Sequence, residues 1–277
     1  MYQGSTLRAY PAAPCESPPI GYGAIMLTAA IVILAIVVAT WLVSLALRDA
    51  SVIDPVWPLG FVAVAITAFV AGDGDEGRRL LILVLVAIWG LRLSAYLTWR
   101  NHGKGEDFRY AAMREKRGRS FWIVSLVTVF VLQGVLMWVV SLPVQLAAVP
   151  DRGLGWLAAA GGVAWAIGFG FEAIGDWQLA RFKADPANKG KVLDSGLWRY
   201  TRHPNYFGDF MVWWGIFLIA AESGAGAWGF AGPILMTVLL VKVSGAGLLE
   251  KDIAERRPGY AEYVRRTSGF FPRPPRD

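Results

Sequence analysis

Seven apolar stretches divide this chain, and most are long enough to cross a lipid bilayer. They run approximately 20–47, 54–71, 79–99, 120–147, 153–175, 207–221 and 227–248, each bounded by charge or by helix breakers. A spanning segment must satisfy its backbone polar groups internally, and a helix of about 20 apolar residues does so. The spacing therefore predicts an all-α membrane protein of seven transmembrane helices. The sixth stretch is short and is expected to begin inside the protein, at the buried end of the preceding loop. The first is too long and too late to be a simple signal peptide, so it reads as a retained helix behind a Pro-rich tail over 1–19. Without a convincing repeat or low-complexity region, 20–277 reads as one membrane domain with cytoplasmic loops and a cytoplasmic tail.

Orientation follows from the basic residues. The segments 100–119 and 176–206 and the tail beyond 250 hold most of the lysines and arginines, and they follow the third, fifth and seventh stretches. The opposite loops are almost free of positive charge apart from Arg78 and Arg79. Positive loops stay on the cytoplasmic side, so the N-terminus is expected outside and the C-terminus inside.

Composition narrows the chemistry. The single cysteine, Cys15, excludes an internal disulfide and most thiolate metal sites, and two histidines, His102 and His203, argue against a histidine-built metal centre. No metal is expected. A net charge of +6 would suit nucleic acid, but the cations flank membrane spans, where lipid headgroups or an anionic cofactor explain them better. No nucleic-acid partner and no obligate protein partner is expected.

The run Gly196-Leu197-Trp198-Arg199-Tyr200-Thr201-Arg202-His203-Pro204-Asn205-Tyr206-Phe207-Gly208-Asp209 gathers aromatic, cationic, amide and acidic side chains and leads directly into membrane-grade sequence. A basic loop held by anionic lipid accounts for its arginines, but not for Asn205, Tyr206 and Asp209. A membrane enzyme that binds a charged cofactor at its inner face accounts for both.

Ionisable groups within spans are costly and are functional candidates by default. Arg92 lies on the third stretch, as a site residue or as a snorkelling arginine. Glu172 and Asp176 are four apart and share a helix face, where they need cations, protons or hydroxyl donors opposite. A nucleotide ribose or a pair of loop arginines would each serve. Asp54 precedes Pro55, a pattern that also suits a simple helix cap. Gln133 and Lys242 are open between packing and site roles. The three basic segments converge on one face and could hold a pyrophosphate with an extra phosphate, as in NADPH. The Gly-Asp-Gly-Asp-Glu-Gly run over 72–77 is a turn rather than a dinucleotide fingerprint, since no strand precedes it.

These residues, with Tyr260, Tyr263 and Phe271-Pro272 near the end of the chain, resemble the membrane steroid 5α-reductase family in a bacterial branch, best over about 165–277. The resemblance implies a seven-helix protein of the bacterial inner membrane, in steroid or lipid metabolism. It would bind NADPH between its helices and cytoplasmic loops and reduce the C4=C5 double bond of 3-oxo steroids entering from the bilayer. It implies that Asn205 to Asp209 match the family's Asn-x-x-Gly-Glu cofactor motif, with Gly208 inside it and Asp in place of Glu. Glu172 and Asp176 match its Asn…Asp pair, Arg92 and Arg100 its Arg…Asn pair, and Lys191 a basic residue before the sixth helix. Lys183, Arg199, Tyr200, Arg202, His203, Tyr206, Arg256 and Tyr260 complete the implied cofactor set. The family holds the substrate carbonyl with a Gln-Glu pair, here Ile53-Asp54, and with a tyrosine that falls on Trp89, leaving Tyr96 further along the same face as a substitute. Asp54, Trp89 and Tyr96 are thus the implied catalytic candidates. The Arg-His-Pro-x-Tyr-x-Gly signature also resembles the isoprenylcysteine carboxyl methyltransferases, which makes an S-adenosylmethionine-dependent methyltransferase the rival reading.

Overall fold

The computed structural model describes residues 21–243 and 259–276, and within them the chain is helical, with one isolated parallel bridge between Thr201 and Ser268. The helices are α1 (Tyr22–Leu47), α2 (Ile53–Ala71), α3 (Glu76–Asn101), α4 (Phe108–Arg117), α5 (121–140), α6 (Leu142–Leu146), α7 (Trp156–Ala184), α8 (Pro204–Ala221), α9 (Ala225–Lys242) and α10 (Tyr260–Arg266). Six segments are long and apolar enough to cross a membrane: α1, Ala50–Ala71, α3, a span inside Phe108–Val140, α7 and α9. Their outer faces are apolar too. On α1, Leu27, Ile31, Leu34, Val38 and Leu42 recur at helical spacing and are all exposed, where a soluble protein would carry polar groups. The chain is an integral membrane protein. The remaining long helix, α8, has 18 residues and spans about 27 Å, just short of a hydrocarbon core.

Two boundaries differ from the sequence reading in ways that build the site. The segment 100–119 is not all loop: Asp107 caps α4 by accepting from the Arg109 N–H, and α4 runs to Arg117. It does not continue straight into α5. Tyr110 and Gln133 approach to 3.5 Å, whereas 23 residues of unbroken helix would set them about 34 Å apart. The chain folds back at Gly118, whose φ of 51° puts it in the region that favours glycine, and Arg114 then lies over the Phe121 ring. The second difference is α7, which continues to Ala184 rather than stopping near 175. Trp177 to Lys183 are polar enough to leave the membrane yet good helix formers, so Glu172 and Asp176 lie inside the helix rather than at its end.

The tightest pair is α7 with α8. A Cβ at Gly168 would come within 3 Å of the Gly208 carbonyl, and one at Gly208 within 3 Å of the Glu172 backbone. Small residues let membrane helices approach to backbone contact. Above this crossing Trp89, Phe61 and Trp213 form a buried aromatic core from α3, α2 and α8, with edge contacts between Trp89 and Trp213 at 5.4 Å.

The far end explains why Arg78 and Arg79 break the charge bias. Arg78 is fully buried and donates to the carbonyls of Pro150 and Gly153, while Arg79 donates to Phe69, Gly72 and Gly74. Both are staples that satisfy helix-end and loop carbonyls. Beside them Glu222 accepts from the Ala158 N–H and so caps the start of α7.

Candidate functional site

The opposite end gathers nearly all the intramembrane polar residues singled out above into two clusters. In the first, Arg92 of α3 faces α7. Its Nη1 donates to Asp176 Oδ2 at 2.7 Å, and its Nη2 pairs with Glu172 Oε1. Trp89, one turn earlier on α3, donates its indole N–H to the other Glu172 oxygen at 2.9 Å. Asn205 of α8 donates to Asp176 Oδ1 at 3.2 Å. The partner of the two carboxylates is therefore Arg92, not a loop arginine, because α7 and α3 face each other at this level. Asp209 lies one turn beyond Asn205, buried, and its Oδ1 has no hydrogen-bond partner among the described residues.

The second cluster lies at the start of α2. Asp54 does not cap its helix, since no side chain caps α2. Its Oδ1 accepts from the Tyr110 hydroxyl at 2.8 Å and its Oδ2 from Arg109 at 3.1 Å, both of α4. Gln133 of α5 donates to the same Tyr110 oxygen at 3.5 Å. Tyr110 is buried. The fold-back at Gly118 brings it there, and the α1–α2 link locks the arrangement. Ser51 Oγ accepts from the Asp107 N–H, and Glu106 accepts from the Ala50 N–H at 2.8 Å and from Arg114. Arg114 holds the Glu106 carboxyl below its ordinary value against partial burial, with the Ala50 N–H adding to the effect. Burial works to raise Asp107, and its bonds to Arg109 outweigh it and leave it lowered. Arg100 lies within electrostatic reach of both Asp54 and Asp176, so the two clusters share one end of the bundle.

The signature loop is pinned between α7 and the tail. Trp198 donates to the Gly175 carbonyl at 3.1 Å, and Gln178 accepts from the Leu197 N–H. The tail lies along the other side of the loop. Thr201 donates to the Phe270 carbonyl, the Arg202 N–H to Ser268, the Arg273 N–H to Tyr200, and Tyr263 to Trp198. His203 is buried and stacks on Tyr206 with ring centroids 5.5 Å apart.

Against the candidates drawn from sequence, the structure joins Arg92, Trp89, Glu172, Asp176 and Asn205, with Asp209 beside them. Trp89 is fully buried and spends its only donor on Glu172, so it is a partner of that carboxylate rather than of Asp54. Tyr96 stands apart from Asp54 as well: its hydroxyl lies 3.5 Å from the Asp176 carbonyl, and Arg100 lies over its ring. Gly208 serves the helix crossing. Lys183, Lys191, Arg199 and Tyr200 are exposed on the rim, and Tyr260 is buried beside Tyr263. Arg202 donates to the Val264 and Thr267 carbonyls, tying loop to tail. Arg256 lies outside the described residues. Tyr110 and Arg109 escaped the sequence reading. An Asp-capped amphipathic turn inside a basic segment was the available signal, and only the fold-back gives it meaning.

A family model described as a protein of unknown function, DUF1295, matches residues 40–267. The chain is also 25% identical over 265 residues to the uncharacterized protein C594.04c of Schizosaccharomyces pombe, covering 84% of this chain and 75% of that protein. No solved structure matches.

Proposed function

The chain belongs to the DUF1295 family, and from its two polar clusters we propose an integral membrane reductase. It uses NADPH to saturate the carbon–carbon double bond of an enone in an apolar lipid, a 3-oxo-Δ4 steroid or a molecule of that shape. The observation that carries this reading is the buried Tyr110 hydroxyl, 2.8 Å from Asp54 and at the same end of the bundle as the Arg92 cluster. Adding a hydride to the β-carbon of an enone drives an electron pair onto the carbonyl oxygen, and a fixed phenolic donor stabilises that charge. Methyl transfer from a sulfonium makes no such demand, because its acceptor needs no proton delivered. The Arg-His-Pro signature and the acids of α7 and α8 suit either cofactor, so the phenol separates the two.

The site fits a dinucleotide. Asp209 Oδ1, without a hydrogen-bond partner among the described residues, is a buried acceptor that a ribose hydroxyl would satisfy, with Asn205 and Asp176 beside it. Arg100, Lys183, Lys191 and Arg199 offer cations for phosphates. NADPH, when bound, supplies the hydride. Arg92 holds Glu172 and Asp176 at fixed positions without a ligand, so the ribose side of the site is preorganised. Rotation about the Tyr110 Cζ–Oη bond turns the phenolic proton from Asp54 toward a substrate oxygen, while Arg109 keeps Asp54 compensated. The substrate gains the hydride at its β-carbon and a solvent-derived proton at its α-carbon, and Tyr110 retains its own proton. We read α8 as a seventh crossing, the N-terminus as external and the site as opening to the cytoplasmic side of a bacterial inner membrane, with the substrate arriving through the lipid.

The test is NADPH oxidation by the purified protein, followed by nicotinamide absorbance with progesterone or testosterone as acceptor. Oxidation that requires the enone supports the reading. Binding of S-adenosylmethionine with no binding of NADPH overturns it in favour of the methyltransferase.

A further inference from the structure

Outside both clusters the tail forms a cleft of about 440 Å³ lined by five arginines: Arg202, Arg265, Arg266, Arg273 and Arg276. Among the described residues no carboxylate lines it, and Glu262 beside it pairs with Arg265. Five like charges facing one cleft repel, and the backbone does not let them splay. The Arg276 N–H donates to the Arg266 carbonyl at 2.9 Å, the Arg273 N–H to Tyr200 at 3.0 Å, and Arg202 to Val264 and Thr267. Pro272, Pro274 and Pro275 stiffen the segment between. Gly269 admits the Arg202 guanidinium, since a Cβ there would meet its Nη2 at 3.2 Å. Arg202, Arg265 and Arg266 thus have donors committed to protein acceptors, whereas the Arg273 and Arg276 side chains have none among the described residues.

We propose that this cleft is a phosphate-binding site, in which Arg273 and Arg276 grip a phosphoryl group inside a fixed cationic wall. A prearranged cluster of forked donors, in which the Arg273 and Arg276 side chains have no partner among the described residues, matches tetrahedral anions of two negative charges. The phosphoryl group can come from a soluble diphosphate or from an anionic lipid headgroup. Val264, Tyr200 and Phe271 are exposed around the same arginines, as residues at a membrane interface are. The inference does not rest on the reductase reading.

The experiment uses the full chain in detergent and in lipid nanodiscs. Inorganic pyrophosphate is titrated in detergent with the melting temperature as readout, and retention of phosphatidic acid against phosphatidylcholine is measured by native mass spectrometry. The site predicts saturable stabilisation by pyrophosphate, selective retention of phosphatidic acid, or both. Displacement of the lipid by pyrophosphate assigns a shared site, and pyrophosphate binding without lipid selectivity assigns a soluble ligand. Each of Arg273→Gln and Arg276→Gln should weaken binding about tenfold, the loss of one charge-assisted contact. Arg117→Gln, which removes a cation elsewhere, should leave it unchanged. Both substituted positions lie on the exposed tail, and the melting temperature without ligand reports whether each variant folds. The proposal is overturned if neither probe binds wild type saturably, or if the three variants bind alike.

Discussion

Arg92 of α3 and Asp176 of α7 are joined at 2.7 Å, and the same guanidinium also holds Glu172. The side chains of the two carboxylates are 4% and 7% exposed. Removing one partner of a buried ionic set costs about 3–5 kcal/mol, because the remaining charges lose compensation in a low-dielectric site. Arg92→Met should therefore lower stability by about that amount, read by unfolding in detergent. Adding Glu172→Gln and Asp176→Asn to Arg92→Met should recover most of the loss. A triple variant no more stable than Arg92→Met would mean that packing, not charge, sets the cost.

Tyr110 and Asp54 act as a unit in the proposed reaction. Tyr110→Phe keeps the ring and removes the donor, so turnover should fall by roughly 10²–10⁴ while NADPH affinity is retained. Asp54→Asn should cost less, because the amide still accepts from Tyr110. Combining the two should cost little more than Tyr110→Phe alone. Steady-state kinetics on all three variants checks this, and full additivity would contradict the pairing.

Gly208 packs α8 against α7 at backbone contact. Gly208→Ala should destabilise the protein by about 1–3 kcal/mol, since its methyl group would meet the backbone of α7 within 3 Å. Thermal unfolding measures the effect. A variant as stable as wild type but unable to bind NADPH would return Gly208 to the cofactor site.

The α1–α2 link depends on pH through Glu106. Its carboxyl is lowered from the ordinary 4.5 by Arg114 and the Ala50 N–H. A carboxyl lowered on folding stabilises the protein above its unfolded value, and that contribution is lost as pH falls through the folded value. The melting temperature should thus decline as pH drops below about 4.5, and Glu106→Gln should flatten the decline. Equal slopes for the two proteins would contradict the assignment.

How far the sequence carried the structure depends on what sets each feature. Span length and hydropathy are local, so six apolar spans could be read directly, and the four-residue spacing of Glu172 and Asp176 placed them on one face. Their partner was not readable, because 80 residues of chain separate Arg92 from Glu172 and only the facing of α3 and α7 joins them. Apolar content marked the end of α7 too early, since a helix can leave the membrane without ending. Gly208 looked like a motif residue, whereas its neighbours across the helix crossing show why a side chain is excluded there. Tyr110 was hidden in a basic segment, and left-handed glycines at 103, 105 and 118 turn the chain on either side of α4 so that it reaches Asp54.

The most direct measurement is mass spectrometry of the product formed from progesterone by purified protein and NADPH deuterated at C4. The account predicts a product that has gained one deuterium and one protium across the double bond, formed far more slowly by Tyr110→Phe. An unchanged steroid together with a methylated lipid formed from S-adenosylmethionine would contradict it.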